Sequence, residues 1–329
     1  MSQVFFKAPK VLSRCQIRPL STQIGKLTSH PTSIRPSRDE IKHERLSDQN
    51  LEVAIRSLHH DGLVVIENVI PHDCLDRLNK KMVEDAYYLQ SKKENSPFNY
   101  NPGNIQQDAP PVRKYFERSI FMNPIATQIT STALGPRPKW TFCSGNTAMP
   151  PTAESPPKSQ PVHSDADFAH PSHPFAHVIN VPLITMTPEN GSTEVWLGTH
   201  SDTGIYVQEG EHGERASGRI KLDELEKRRL DRPPCQPVVP KGSLVVRDLR
   251  LWHSGVGNQT EDPRVMLAMI HFAPWYRNPM KLEFADDLKP VIESQTDLEV
   301  PVDWVSESTA LSRYLNRGFG NAYDFNQYP

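Results

Sequence analysis

The stretch Gly242-Ser-Leu-Val-Val-Arg-Asp-Leu249, running on through Arg-Leu-Trp-His253-Ser-Gly255, decides how the rest of the chain is read. A glycine turn opens onto a short apolar run, the pattern of a buried strand, and a histidine stands near its far end. The same pattern recurs in His177-Val-Ile-Asn-Val-Pro-Leu-Ile-Thr-Met186, Thr193-Glu-Val-Trp-Leu197 and Val265-Met-Leu-Ala-Met-Ile-His-Phe272. Turn chemistry separates these runs, at Asn190-Gly191 and at Pro240-Lys-Gly242. Trp140-Thr-Phe-Cys-Ser144 reads as a further strand. Many short strands joined by Gly/Pro turns predict a mainly β fold with flanking α elements: a double-stranded β-helix, or jelly roll, of the cupin sort. Its core is expected over about 135–276.

Ahead of that core, Leu51, Ala54, Ile55 and Leu58 recur at helical spacing, and Gly62 is a helix stop. Leu63-Val-Val-Ile66 follows as a short buried strand, and Pro71 restarts a helix with Leu75, Leu78, Met82 and Ala86 on one face. Residues 93–114 are rich in Asn, Gln and Pro and read as a loop, and 120–134 as a helix. Residues 201–235 form a charged insertion with a helix near 222–230, the kind of segment that serves as a lid. Beyond the core, Trp304, Tyr314 and Phe319 mark a C-terminal extension.

Over 329 residues the net charge is -2 and the pI about 6.7, which argues against nucleic acid or an anionic membrane as partner and leaves a small molecule. No apolar run reaches the length of a membrane-spanning helix (roughly 18 residues or more). Cys15, Cys74, Cys143 and Cys235 are scattered without a C-x-x-C pair, so a disulfide framework or thiolate zinc site is not indicated and a reducing, cytoplasmic compartment fits. The first 38 residues hold seven Lys/Arg and no Asp or Glu. That is the composition of a mitochondrial transit peptide, or of a basic disordered extension kept out of the fold by its prolines. On either reading, residues 1–40 stand apart from a single domain over 41–329.

Upstream of the strands, Gln160-Pro-Val-His163-Ser-Asp165 supplies a His-x-Asp pair. Alternate residues of an extended segment point to one side, so His163 and Asp165 can both face inward. With His253 they make the minimum facial set for a non-haem Fe(II): two imidazoles and one carboxylate, with the remaining positions open. His200-Ser-Asp202 has the same spacing but follows the turn at Leu197-Gly198, so a turn role is assigned there. His271 lies in mid-strand, where a core histidine satisfied by a hydrogen bond is the reading. Arg264 opens the strand after His253, and a hairpin between the two would set them side by side. A buried guanidinium requires an anionic partner, and its planar fork suits a carboxylate. Beside an iron site that implies a co-substrate with a distal carboxylate, for which 2-oxoglutarate is the natural candidate. The alternative for Arg264 is a surface ion pair with Glu261 or Asp262.

His163-x-Asp165, the segment Thr187-Pro-Glu-Asn-Gly191-Ser-Thr193 through Leu197-Gly-Thr-His200, and Trp252-His253 with Arg264 resemble, in that order, the phytanoyl-CoA dioxygenase family of Fe(II)/2-oxoglutarate oxygenases. The resemblance spans roughly 51–276, and it departs where Leu197-Gly-Thr-His200 replaces the family's usual Pro-Gly-Ser-His. The amide-rich segment 104–107 and Ser144-Gly-Asn146-Thr147 look most like fungal members, many of which work in secondary metabolism. The resemblance implies Fe(II), with 2-oxoglutarate and O2 as co-substrates. It also implies oxidation of a small organic substrate such as a secondary-metabolite intermediate, with hydroxylation as the default and desaturation or ring closure as variants. It further implies that Gln160 and Thr193 hydrogen-bond 2-oxoglutarate, and that Asn104, Gln106 and Asn146 line the pocket. Trp252, with Trp196, Trp275 and Tyr276, is a candidate pocket wall. An acyl-CoA is disfavoured because no basic cluster stands ready for its phosphates. A cupin-like metal-dependent hydrolase or isomerase and a non-catalytic jelly-roll binding protein remain as alternatives. Arg264 argues against the first and the intact ligand set against the second.

Overall fold

Ser47 and Gly62 bracket the first long helix. The Ser47 hydroxyl accepts from Asn50 N, and Gly62 closes the helix in the left-handed conformation at φ 74°, where a Cβ would meet the His200 ring at 2.6 Å. The structure, a computed structural model, describes residues 29–153, 155–201, 203–210, 217–316, 324 and 327. In chain order the elements are β1 (Thr32–Ile34), α1 (Arg38–Lys42), α2 (Asp48–Asp61), β2 (Leu63–Ile66), α3 (His72–Gln90), β3 (Phe98–Asn99), β4 (Asn101–Gln107), α4 (Arg118–Phe121), α5 (Pro124–Leu134) and β5 (Lys139–Ala148). There follow β6 (Ala176–Pro182), β7 (Glu194–Val195), α6 (Leu222–Asp231), β8 (Leu244–Asp248), β9 (His253–Ser254), β10 (Arg264–Phe272), β11 (Leu282–Ala285), α7 (Lys289–Glu293), β12 (Val302–Val305) and α8 (Glu307–Arg313).

Eight strands form the main sheet in the order β1-β2-β8-β6-β10-β5-β4-β3, antiparallel except for β1 beside β2. The opposing layer is built from short pieces: β7 with β9, and single bridges such as His163↔His253, Met186↔Val239 and Val195↔Cys235. This is the expected mainly β jelly-roll architecture with flanking helices, although the main sheet stays open rather than closing into a barrel. One face of that sheet is apolar. Val64, Ile66, Ile179, Val246, Leu267 and Met269 share a cluster with Leu58 of α2, Leu75 and Leu78 of α3, and Ile125 and Ile129 of α5. The other face looks into the jelly roll. Being covered on both sides, β2 and β8 are buried at every residue, which is why β2 reads as a continuous apolar run and β8 opens on one, Leu244-Val-Val246.

Several expectations need correction. The break near residue 40 is not a boundary of the fold, because β1 pairs with β2 and α1 begins at Arg38 with a Ser37–Glu40 capping box. The transit-peptide reading itself falls on residues 1–28, outside the described residues. The amide-rich stretch expected as a loop forms β3 and β4, with Gln106 opposite Asn146 on β5. Main-chain pairing with a neighbouring strand outweighs its poor strand composition. The helix expected over 120–134 is split at Asn123, whose side chain caps α5 by accepting from Ile125 N and Ala126 N. The strand from His177 ends at Pro182, which pairs at the sheet margin, and of 193–197 only β7 is strand. The C-terminal extension packs as the parallel pair β11–β12 and α8, with the Tyr314 hydroxyl donating to Asp85 on α3. Phe319 lies outside the described residues.

Candidate metal centre

His253 is held where the two layers meet. β9 pairs with β7 on one side and with His163 on the other, through His163 N to His253 O and His253 N to His163 O, both 2.9 Å. The His163 segment is bordered in turn by the insertion: Ser164 N donates to Gly218 O at 2.9 Å and Ile220 N to Val162 O at 3.0 Å. Gln160 locks the end of β9, its amide oxygen accepting from Gly255 N at 2.9 Å. A Cβ at Gly255 would lie 2.5 Å from that oxygen, so a side chain there would displace the Gln160 amide.

The side chains of His163, Asp165 and His253 converge, their ligand atoms lying within 4.8 Å of one another. Asp165 Oδ1 is 3.8 Å from His163 Nε2 and 3.7 Å from His253 Nε2, too far for hydrogen bonds. Each imidazole hydrogen-bonds a backbone carbonyl through Nδ1, His163 to Pro161 O at 2.8 Å and His253 to Leu251 O at 3.0 Å. An Nδ1–H donated to a carbonyl leaves the Nε2 lone pair aimed at the common point, the tautomer a metal ligand needs. Burial lowers both histidines below the ordinary imidazole range, and Arg247 lowers His253 further, so the rings are neutral at neutral pH. For Asp165 burial works against the charged form, but Arg247 and the two imidazoles outweigh it and hold the carboxyl well below the usual range. Neutral imidazoles and an ionised carboxylate, with no thiolate, are a donor set that fits Fe(II).

Arg264 faces the same cavity and is 1% exposed. Its guanidinium donates to Gly191 O at 2.8 Å and Asn146 O at 3.4 Å, its Nε has no partner, and no carboxylate of the described residues pairs with it. Burial alone lowers its pKa to about 10. A buried cation with only neutral acceptors lacks an anion, and a dicarboxylate fits that vacancy. The surface ion pair with Glu261 or Asp262 is absent. The hairpin expectation is corrected too: β10 belongs to the main sheet and β9 to the opposing layer, so Arg264 and His253 face the cavity from different layers.

The cavity measures about 100 Å³, several times the roughly 10–15 Å³ that one water takes on such a measure. Gln106, Asn146, Gln160 and Thr193 line it together with Arg264. Asn104 is buried but stands behind Gly255 rather than on the wall. Trp252 is corrected: it packs with Trp196, Val207, Ile220 and Leu225 in a separate apolar cluster. Tyr276 packs against Phe175 and Phe272, and Trp275 is exposed. The rival pair is disposed of in part: His200 bonds His59 O through Nε2 at 3.2 Å, and Asp202 lies outside the described residues. His271 is the core histidine expected, 3.0 Å from the Thr130 hydroxyl.

Sequence reasoning missed Arg247, whose Nη2 donates to Asp165 Oδ2 at 2.5 Å, and Asn180, which accepts from Arg247 Nε at 3.1 Å. The signal was there, a charge inside the apolar run Leu244-Val-Val-Arg247. It also missed Tyr100, at φ 67°, whose ring lies 5.1 Å from that of His163, with the Arg219 guanidinium 5.7 Å from its centre.

A jelly roll with an open main sheet, whose opposing layer brings two histidines and one carboxylate together, defines the class: a jelly-roll protein with a group that could hold a metal ion. The family described as phytanoyl-CoA dioxygenase (PhyH) matches residues 58–266, and the chain belongs to it. That family uses Fe(II), 2-oxoglutarate and O2. Dioxygenase af480 of Aspergillus fumigatus is 29% identical over 188 residues, which are 54% of this chain and 51% of that protein. The chain thus spans about half the length of that curated relative. Among solved structures, the epimerase SnoN in complex with Fe3+, alpha ketoglutarate and nogalamycin RO is similar at a TM-score of 0.51 and 15% identity, over 69% of this chain and 84% of that one. EctD from S. alaskensis in its apoform is similar at 0.50 and 16%, over 84% and 92%. At these identities the likeness is one of fold.

No helix of the described residues is long and apolar enough to cross a membrane.

Proposed function

We propose that this protein is an Fe(II)- and 2-oxoglutarate-dependent dioxygenase that oxidises a small organic substrate, by default through hydroxylation. The observation that carries the reading is Arg264, a buried guanidinium with no anionic partner among the described residues, facing the cavity that His163, Asp165 and His253 also face. A metal-dependent hydrolase or isomerase that uses no carboxylate co-substrate has no need of that cation.

In this reading His163, Asp165 and His253 hold the iron. Bound iron supplies the oxidative decarboxylation of 2-oxoglutarate to succinate and CO2, coupled to oxidation of the substrate. The residues do the rest. Arg264 binds the far carboxylate of 2-oxoglutarate as a planar fork and so fixes which way the co-substrate lies. Thr193 lines the same cavity, and its hydroxyl makes only a long contact with a weak acceptor, Met266 Sδ at 4.0 Å, which leaves it able to donate to that carboxylate. Gln160 acts through its lock on Gly255, holding His253 in place. Gln106 and Asn146, opposite one another on β4 and β5, offer amides to a polar substrate. Phe142, Val178 and Ile270 supply apolar lining to the cavity and disfavour water there. A secondary-metabolite intermediate is the substrate class we favour, on the match to a fungal dioxygenase. A reducing, cytoplasmic setting is favoured by the free thiols of Cys74, Cys143 and Cys235, with a mitochondrial one resting on the basic N-terminal composition.

Incubating the purified protein with Fe(II), ascorbate and 2-oxoglutarate while following succinate tests the reading. Succinate formation that disappears in Asp165→Ala supports it; turnover independent of 2-oxoglutarate and O2 overturns it.

A further inference from the structure

Arg247 in β8 and Arg250 just beyond it each pair with an aspartate, and the two pairs are built differently. Arg250 grips Asp248 as a fork, Nε on Oδ1 at 2.8 Å and Nη2 on Oδ2 at 2.7 Å, so both carboxylate oxygens are used and the pair is closed. Arg247 touches Asp165 at one oxygen only, Nη2 on Oδ2 at 2.5 Å. Oδ1 is left facing His163 Nε2 and His253 Nε2. The grip is braced from behind: Arg247 Nε donates to Asn180 Oδ1 at 3.1 Å, and Asn180 Nδ2 donates to Leu267 O of β10 at 3.3 Å. Arg247 Nη1 is buried without an acceptor among the described residues.

A carboxylate can offer a metal ion one oxygen or both. An ion held by three side chains has room for a chelating 2-oxo acid and for O2 only while the carboxylate takes a single position. A short, charge-assisted bond on Oδ2 keeps that oxygen off the ion. We infer that Arg247 is a positioning residue that holds Asp165 to one-oxygen ligation and so reserves a coordination position for the 2-oxo acid. This rests on the reading of His163, Asp165 and His253 as the iron ligands. Arg247 also lines the cavity, where its unpartnered Nη1 remains free to donate to an oxygen of an incoming ligand.

The test separates metal binding from chelation. Anaerobic protein is loaded with Fe(II), its affinity is measured by equilibrium dialysis, and 2-oxoglutarate is then titrated while the visible charge-transfer absorbance of the iron chelate is followed. Arg247→Gln is expected to bind Fe(II) within a few-fold of the parent protein. Its affinity for 2-oxoglutarate should fall by about tenfold or more, with a weakened absorbance. Arg247→Lys should recover part of the loss, and Asn180→Ala should show a smaller loss in the same direction. If Arg247→Gln does not melt cooperatively, Arg247→Lys and Asn180→Ala decide by the same titration. Parental 2-oxoglutarate affinity and absorbance in these variants overturn the inference, as does a defect confined to Fe(II) affinity. Failure of the underlying reading looks different: the parent protein takes up no Fe(II), or Asp165→Ala takes it up as tightly.

Discussion

Both faces of the main sheet are buried, yet they bury different things. The face under α2, α3 and α5 carries Val64, Ile66, Ile179, Val246, Leu267 and Met269. The face toward the cavity carries Ser144, Asn146, Asn180, Arg247 and Arg264 among its apolar residues. The same strands contribute to both, one residue apart, so strand propensity and burial cannot account for the difference. Desolvating two guanidiniums costs several kcal/mol apiece unless something repays it. Asp165 does so for Arg247; among the described residues nothing anionic does so for Arg264. A buried face that retains such groups is organised around a ligand, and the opposite face around stability.

The sharpest attempt to break this division is His163→Ala. Succinate production should fall to the level without enzyme, and Fe(II) should no longer be retained through desalting, while the protein still melts cooperatively. Undiminished succinate would move the chemistry away from this cavity. Next comes Arg264→Met. Affinity for 2-oxoglutarate should drop by about 2–5 kcal/mol, roughly thirty-fold to several thousand-fold. The melting temperature of the ligand-free protein should hold or rise, because an unpaired buried charge has been removed. A lower melting temperature with unchanged 2-oxoglutarate affinity would assign Arg264 to the structural side. Leu267→Ala, on the helix-covered face, should do the reverse, losing about 2–5 kcal/mol in denaturant titration with 2-oxoglutarate affinity unaltered once folded.

The smallest effect lies outside the sheet, at Glu40. Burial raises its pKa, but backbone N–H groups of Ser47 and Ser37 and the Asn50 amide outweigh that and lower it to about 2 from 4.5. A carboxylate with a depressed folded-state pKa contributes stability that is full above its unfolded value and is lost as pH falls through the folded one. The stability of the parent protein should therefore carry a slope between pH 4.5 and about 2 that Glu40→Gln lessens. An unchanged acid limb would remove Glu40 from the account.

Much of this was legible in the chain. The strands at Leu63, Leu244 and Val265 were readable because burial on both faces gives each a run of consecutive apolar residues, and α2 and α3 because their apolar residues recur at helical spacing. β4 was not, since Asn, Gln and Pro hide a strand whose stability comes from the partner β5. Trp252 was misplaced for a related reason. A residue next to a ligand on an extended segment points the other way, here into the cluster with Trp196.

By itself the sequence determined which donors were on offer: a His-x-Asp pair, a histidine at a strand end and an arginine opening the next strand, each with local signals strong enough to read. Only the tertiary structure decided that these meet at one cavity, that Arg264 finds no anion there, and that Arg247 reaches Asp165. Local chemistry is written in neighbouring residues. The closing of a site, and the absence of a counter-charge, depend on which strands of a jelly roll come face to face across long stretches of chain.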